Sequence, residues 1–191
     1  MKRIVILASG SGSNAENIIT HFKGTNSMEV CAVLTNRKTA AVLERCERLG
    51  IAAFYFNRTA FYDADSVTQI LKGLNPDLIV LAGFLWKVPT ALINTFPNTI
   101  VNIHPSLLPK YGGKGMYGAK VHQAVKDNLE QETGITIHYV NENYDEGAII
   151  FQAKTKVASS DNANSIAEKV HQLEYEHFPK VIEKLLLKDG D

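Results

Sequence analysis

The sequence predicts an α/β fold in which a mostly parallel sheet is covered by helices on both faces and is extended by antiparallel strands near the C-terminus. Two observations predict the parallel part: strand-like runs recur with helical segments between them, and these runs are almost unbroken in apolar character. Strands buried on both faces have this character, because crossover helices cover them. A third observation predicts the extension, since apolar and polar residues alternate in the later strands.

Five strand-like runs occupy the first hundred residues or so, and consecutive parallel strands are expected to be joined by right-handed crossovers. The predicted strands are Arg3–Ala8, Val30–Thr35, Ala52–Phe56, Leu78–Ala82 and Thr99–His104. The helical segments between them are expected near Ala15–Phe22, Ala40–Leu49, Phe61–Leu74 and Pro89–Asn94.

Two strands and one long helix are predicted for the rest of the chain. Gly134–Val140 and Ala148–Val157 alternate and are separated by a turn-rich stretch, which is typical of antiparallel neighbours. Asn162–Leu187 has a helical pattern that Pro179 is expected to break or kink. We interpret this helix mainly as packing against the sheet. No compositional boundary divides the chain, so we predict a single domain over residues 1–191.

Composition excludes several classes of protein. The 191 residues carry a formal net charge of zero, which argues against nucleic acid or a membrane surface as partner but allows a small anionic substrate. No apolar run approaches the ~18 residues of a membrane span, and no secretory signal is recognisable. Cys31 and Cys46 lack metal-ligand spacing, so we predict reduced thiols, no bound metal and a cytoplasmic location.

A glycine-rich turn follows the first strand and opens the first helix. Gly10-x-Gly12-x-x-Ala15 has the form of the dinucleotide fingerprint, in a Rossmann-like three-layer α/β/α context. The second strand ends without the acidic residue that binds a ribose, although Arg37 could face a 2′-phosphate. Three interpretations stay open at this point: a single phosphate, a dinucleotide, or a helix cap formed by Ser13 and Asn14.

A second polar cluster lies at the end of the fifth strand. Asn102 and His104 alternate with apolar residues, so their side chains share one face at the carboxyl end of the strand, where open α/β sheets bind ligands. The glycine-rich segment Ser106–Gly118 follows and has the character of a mobile active-site lid. Asp145 lies in the turn between the two late strands. Two interpretations stay open for it: a residue that only favours the turn, or a carboxylate that enters the same pocket.

An amide, an imidazole and a carboxylate suit direct transfer of an acyl group between two substrates. Asn102 could donate to the developing oxyanion, and a protonated His104 could stabilise it and move protons. Asp145 could hold the imidazole, raise its pKa and help to take a proton from the attacking group. Hydride transfer to or from a dinucleotide does not need these three groups, so they favour acyl transfer over an oxidoreductase.

These stretches resemble a known family over nearly the whole chain and in the same order. The resemblance is carried by ILASGSGSN at the start, VLAGF at Val80–Phe84, NIHPSLLPKY at Asn102–Tyr111, and Asp145-x-Gly147. NIHPSLLP is similar to the signature of folate-dependent formyltransferases, and GSGSN resembles in particular the phosphoribosylglycinamide formyltransferase (glycinamide ribonucleotide transformylase) family. That resemblance implies transfer of the formyl group of 10-formyltetrahydrofolate, as co-substrate, to glycinamide ribonucleotide in de novo purine biosynthesis.

The resemblance also implies roles for individual residues. Asn102, His104 and Asp145 match the catalytic residues. The ribonucleotide and its phosphate would be bound by Gly12, Ser13, Asn14 and Glu174. The folate pocket would be lined by Leu85, Trp86, Lys87, Val88, Asn102, Val140, Asn141, Asn143 and Asp145. No metal, nucleic acid or membrane is implied, and the chain is expected to be a monomer or a homodimer.

Departures from the family pattern are local. Trp86 stands where the family commonly has a basic residue, the lid is longer than usual, and no role is assigned to His122 or His171.

A 10-formyltetrahydrofolate hydrolase on the same site remains an alternative, although such enzymes usually carry an extra N-terminal domain. A methionyl-tRNA formyltransferase is less favoured by the zero net charge. An NADP-dependent oxidoreductase or nucleotide-binding module is the alternative from a different class.

Overall fold

The computed structural model describes residues 1–188. Its strands are β1 (Lys2–Ala8), β2 (Met28–Thr35), β3 (Ala53–Tyr55), β4 (Leu78–Leu81), β5 (Ile100–His104), β6 (Glu132–Tyr139) and β7 (Ile149–Lys156). Its helices are α1 (Ser13–Phe22), α2 (Val42–Leu49), α3 (Arg58–Tyr62), α4 (Ser66–Leu74), α5 (Thr90–Thr95), α6 (Ala119–Asp127) and α7 (Ala163–Lys188). The strands form one seven-stranded sheet in the order β3-β2-β1-β4-β5-β6-β7. The predicted fold class, a mostly parallel sheet with an antiparallel C-terminal extension, is confirmed.

The described residues fall into two compact units. One contains residues Met1–Val101 together with the end of α7 from Lys184, and the other contains Asn102–Glu183. The prediction of one domain over the whole chain stays a prediction. Within residues 1–188, no helix is both long and apolar enough to cross a membrane.

Parallel pairing organises the first unit. β1 pairs in parallel with β2 on one side and with β4 on the other, and β2 pairs in parallel with β3. Ile4–Ala8 of β1 are fully buried, as the unbroken apolar run predicts. This arrangement places the carboxyl ends of β1 and β2 side by side, next to the glycine-rich turn.

The helix predicted over Phe61–Leu74 is wrong as a single element. The structure has two helices here, α3 and α4, separated by Asp63–Asp65. The side-chain Oδ1 of Asn57 accepts the Ala60 N–H at 2.9 Å and starts α3 earlier than the apolar pattern indicates. Asp65 then adopts a positive φ of 52°, which interrupts the helical path before α4.

The second unit contains the antiparallel extension. β6 and β7 pair from Glu132 opposite Lys156 to His138 opposite Ile149, with a register shift between Ile137 and His138. That irregularity lies where β6 approaches the candidate site, and irregularities of this kind re-aim side chains near ligand sites.

A break at Pro179, one of the two expected effects, is wrong, because α7 continues through this residue. A kink there stays a prediction. Phe178 and Ile182 on either side of the proline are fully buried. Burial of this helical face offsets the one backbone hydrogen bond that a proline removes.

Candidate active site

His104 ends β5 and is held in one orientation by the segment that follows it. Its Nε2 lies 2.8 Å from the carbonyl oxygen of Tyr111, and a carbonyl can only accept, so Nε2 carries the proton. Nδ1 is therefore the nitrogen that faces Asp145, at 3.5 Å from Oδ2. A carboxylate at this distance favours the doubly protonated imidazolium.

Two opposing effects act on the pKa of His104. Burial disfavours the charged ring and lowers the pKa. The negative charge of Asp145 and the Tyr111 carbonyl raise it, but the pKa remains below that of an ordinary histidine. A substrate that brings negative charge close to the ring would favour its protonation.

Asp145 is held in the site by its backbone and by one amide. It has a positive φ of 58° in the turn between β6 and β7, and its Oδ2 accepts the Gly113 N–H at 2.9 Å. Burial raises the pKa of this carboxyl, but the contacts with His138, His104 and Gly113 outweigh burial and hold the pKa below its usual value. Asp145 is therefore ionised at neutral pH.

His138 joins the predicted residues, and the sequence reasoning missed it. Its Nδ1 donates to the Tyr139 carbonyl at 2.9 Å, so Nε2 can accept from the Asn102 side-chain amide at 3.0 Å. The same Nε2 lies 3.6 Å from Asp145 Oδ1. His138 Nε2 thus lies beside both the Asn102 amide and the Asp145 carboxylate, and the second N–H of the Asn102 amide is left for another acceptor. The signal was present in the sequence of β6, where Thr136 and His138 alternate with isoleucines and so share one face of the strand.

Thr136 on β6 ties down the segment after His104. Its buried hydroxyl donates to the Ser106 carbonyl at 2.7 Å and accepts the Leu108 N–H at 3.0 Å. Gln152 on β7 donates to the Leu108 carbonyl at 3.1 Å and to the Thr136 hydroxyl at 2.9 Å. The start of Ser106–Gly118 is thus anchored by hydrogen bonds to β6 and β7.

Two glycines beside this site lie too close to their neighbours to carry a side chain without a shift. A Cβ on Gly147 would lie 1.7 Å from the Tyr139 carbonyl oxygen, a distance that no side chain tolerates. A Cβ on Gly112 would lie 2.6 Å from Leu108 Cδ2 and 3.3 Å from Asp145 Cβ. Both positions keep the backbone close to the residues that position Asp145.

The N-cap of α1 is Gly12, which has a φ of 73° and offers no side chain to the helix end. Ser13 and Asn14 are the first two residues of the helix itself. The choice between a helix cap and a phosphate site stays a prediction. The first N–H groups of a helix bind anions well, because they are unpaired and lie at the positive end of the dipole. Packing against α2 enforces the glycine, since a Cβ on Gly12 would lie 2.4 Å from Val42 Cγ2.

The residues predicted for the folate pocket lie in two separate stretches. Leu85–Val88 follow β4, with Trp86 packed among aromatic rings and Val88 buried. Val140, Asn141 and Asn143 lie in the turn region after β6, where Asn141 Oδ1 accepts the Asn143 N–H at 3.0 Å. Their folate contacts stay a prediction.

Glu174 lies on α7 and is buried beside two histidines. Its Oε2 lies 2.9 Å from His171 Nδ1, and the His122 ring lies 6.4 Å from the His171 ring. The hydrogen bond to Glu174 raises the pKa of His171, while burial lowers the pKa of His122. A role of Glu174 in binding the ribonucleotide stays a prediction.

Metal-ligating groups are not gathered in any part of residues 1–188: no three His, Cys, Asp or Glu side chains are placed to hold an ion there. Cys31 and Cys46 are free thiols.

Comparison with known proteins gives the class. The formyl transferase family matches residues 2–182. This match covers most of the chain, so the protein belongs to the formyl transferase family. Among solved structures, phosphoribosylglycinamide formyltransferase from Bacillus halodurans has a TM-score of 0.88 at 34% identity, covering 99% of this chain and 97% of that one.

Curated relatives make the resemblance more specific. Phosphoribosylglycinamide formyltransferase of Bacillus subtilis is 36% identical, covering 97% of this chain and 95% of that protein. The Escherichia coli enzyme of the same name is 37% identical, covering 94% and 84%. The chain spans 64% of the length of the chloroplastic enzyme of Arabidopsis thaliana, at 34% identity. The prediction of a formyltransferase enzyme is confirmed, and the dinucleotide-dependent alternative is not favoured.

Proposed function

We propose that the chain transfers the formyl group of 10-formyltetrahydrofolate to the amine of glycinamide ribonucleotide, a step of purine biosynthesis. The formyl transferase family uses formyl-folate as co-substrate, and relatives of matching length are named for the phosphoribosylglycinamide acceptor. The observation that carries the chemistry is the His104–Asp145 pair, with 3.5 Å between Nδ1 and Oδ2. The Asn102 amide lies close by and donates to His138.

Attack of the amine on the formyl carbon forms the new C–N bond and converts the formyl oxygen into an oxyanion. The second N–H of Asn102 is available to donate to that oxygen, because the first is used by His138. A positive charge on His104 stabilises the same oxyanion, and this attraction is strong because the site is buried and has a low dielectric constant. The oxyanion in turn raises the pKa of His104 and offsets the lowering by burial.

The attacking nitrogen must lose a proton before the folate leaves. Asp145 is ionised and faces His104, so it is the base that takes this proton. The oxyanion then re-forms the carbonyl group as the bond between the formyl carbon and N10 breaks, and the proton is transferred to N10. The products are formylglycinamide ribonucleotide and tetrahydrofolate, with no net change in protons.

Substrate binding is divided between separate groups. Gly12, Ser13 and Asn14 at the start of α1 would bind the 5′-phosphate of the ribonucleotide. Glu174 would accept from its ribose hydroxyls. Leu85–Val88 and Val140–Asp145 would contact the reduced folate.

The direct test is an assay of the purified chain with both substrates, following tetrahydrofolate release and the formylated product. Release that requires glycinamide ribonucleotide supports the transferase. Release at the same rate without the ribonucleotide would identify a hydrolase on the same site. Action in the cytoplasm as a monomer or homodimer, without nucleic acid or membrane, stays a prediction that sedimentation and fractionation would test.

A further inference from the structure

The backbone after β4 is held at its first end by Ser9. The Ser9 N–H donates to the Gly83 carbonyl at 3.1 Å, and the Ser9 hydroxyl accepts the Leu85 N–H at 2.9 Å. Ser9 is almost fully buried and directly precedes the turn Gly10–Asn14. The backbone and the side chain of Ser9 thus both hold the segment Gly83–Lys87 against the end of β1.

The same segment is held at its second end by α3. The Tyr62 hydroxyl donates to the Lys87 carbonyl at 2.9 Å, and the Tyr62 ring packs 5.9 Å from the Trp86 ring. The Arg58 guanidinium lies over both rings, at 4.8 Å from Tyr62 and 5.7 Å from Trp86. Phe61, which is buried, supports Trp86 from the side at 5.8 Å.

Gly83–Lys87 has no helix or strand of its own, so these contacts decide its path. A loop that must present its backbone to a ligand loses affinity when it has to be ordered on binding. Hydrogen bonds at both ends order the segment before the ligand binds, so binding does not have to supply the free energy of ordering it.

We propose that Ser9 and Tyr62 are positioning residues for the reduced folate, which fix Gly83–Lys87 in its binding conformation. The inference rests on the proposed function, in which Leu85–Val88 contact the folate. Neither residue needs to touch a substrate. Ser9 acts on the Leu85 amide and Tyr62 on the Lys87 carbonyl.

Tyr62→Phe tests this inference because it keeps the ring and removes only the hydroxyl. The Kd for tetrahydrofolate and the KM for 10-formyltetrahydrofolate are expected to rise about two- to fivefold, the loss given by one partly exposed hydrogen bond. kcat and the KM for glycinamide ribonucleotide are expected to stay at wild-type values. Tyr55→Phe, on a half-exposed ring of β3, is the matched control and is expected to bind like the wild type.

Ser9→Ala is the second variant. It leaves the Leu85 N–H without its acceptor in a half-buried position, so the Kd for tetrahydrofolate is expected to rise at least about fivefold. Trp86 is the only tryptophan, so its fluorescence reports folate binding at this segment without any assay of activity. Melting temperatures confirm that each variant is folded.

The outcomes separate the inference from the function on which it rests. Wild-type Kd values in both variants, in a chain that formylates the ribonucleotide, would overturn the inference alone. A wild-type chain that binds no tetrahydrofolate by calorimetry would overturn the proposed function, and the inference with it. Equal losses of folate affinity and of kcat in Tyr62→Phe would also reject a purely positioning role.

Discussion

Asp145 Oδ2 accepts the backbone N–H of Gly113 at 2.9 Å. This hydrogen bond joins the turn between β6 and β7 to the glycine-rich segment that follows His104. The conformation of Ser106–Gly118 therefore affects the charge and the position of the carboxylate that faces the imidazole. A rearrangement of this segment would release Asp145 and alter its pKa at the same time.

Asp145→Asn is expected to lower kcat at least about 100-fold, because proton transfer by a positioned group contributes about that much or more. It also removes the charge that raises the pKa of His104. The KM for glycinamide ribonucleotide is expected to change little, since the phosphate contacts are elsewhere. Steady-state kinetics measure both, with Asp63→Asn on an exposed turn as control. Near-normal turnover would remove Asp145 from the mechanism.

His122 and His171 are expected to titrate on opposite sides of the ordinary histidine pKa of about 6.5. Burial is the main cause that lowers the pKa of His122, with the His171 ring next, while Glu174 raises it and His104 lowers it slightly. The pKa of His171 is raised by its hydrogen bond to Glu174, partly offset by burial. NMR titration of the two rings measures both values. Glu174→Gln is expected to lower the pKa of His171, and no change would show that the pair is not formed in solution.

The signs of these shifts set the effect of pH on the free energy of unfolding. His122, with its lowered pKa, stabilises the fold fully above about pH 6.5, and this contribution is lost as pH falls through the folded-state pKa. His171, with its raised pKa, contributes below about pH 6.5 and loses that contribution as pH rises through its own folded-state pKa. Urea unfolding between pH 5 and pH 8 of His122→Gln, compared with the wild type, should show a smaller loss of stability in acid.

Gly147→Ala is expected to disturb the turn that carries Asp145, because the added methyl would lie 1.7 Å from the Tyr139 carbonyl oxygen. The backbone must move, so both stability and kcat should fall. Gly73→Ala is the matched control: nothing lies within 4 Å of its Cβ position on α4. Alanine there is expected to stabilise the helix by up to about 1 kcal/mol. Equal melting temperatures for the two variants would contradict this account.

Thr136→Val is expected to destabilise the fold by about 2–4 kcal/mol, because it leaves the Ser106 carbonyl and the Leu108 N–H without their partner in a buried place. Thr133, on the same strand, has a buried hydroxyl without a hydrogen-bond partner. Thr133→Val should therefore be neutral or stabilising. Chemical denaturation measures both, and a larger loss for the Thr133 variant would refute the assignment.

Gly12→Ala is expected to raise the KM for glycinamide ribonucleotide by at least about tenfold, because a Cβ would collide with Val42 and the φ of 73° is strained for alanine. The KM for 10-formyltetrahydrofolate should change less. Gly10→Ala, with open space around its Cβ position, serves as control. The same KM in both variants would argue against a phosphate site formed by close backbone packing.

Local patterns in the sequence were sufficient for the fold class and for much of the candidate site. The apolar runs of β1 and β4 predict strands that are buried on both faces, and both strands are buried. The alternation in β6 and β7 predicts their antiparallel pairing, although β6 itself is buried on both faces. Asn102 and His104 could be placed together because residues two apart share a strand face. The continuation of α7 through Pro179 could not be predicted from the sequence. It depends on the burial of Phe178 and Ile182 against the rest of the protein, which the residues around the proline do not reveal.

The sequence by itself determined the chemistry available at the ends of the strands: an amide and an imidazole on β5, a carboxylate in a later turn, and glycines around Gly12. Tertiary structure alone decided that His104 Nδ1 faces Asp145 and that His138 lies beside both Asp145 and Asn102. Side chains far apart in the chain meet only when sheet register and turn geometry are set, and these depend on packing throughout the core.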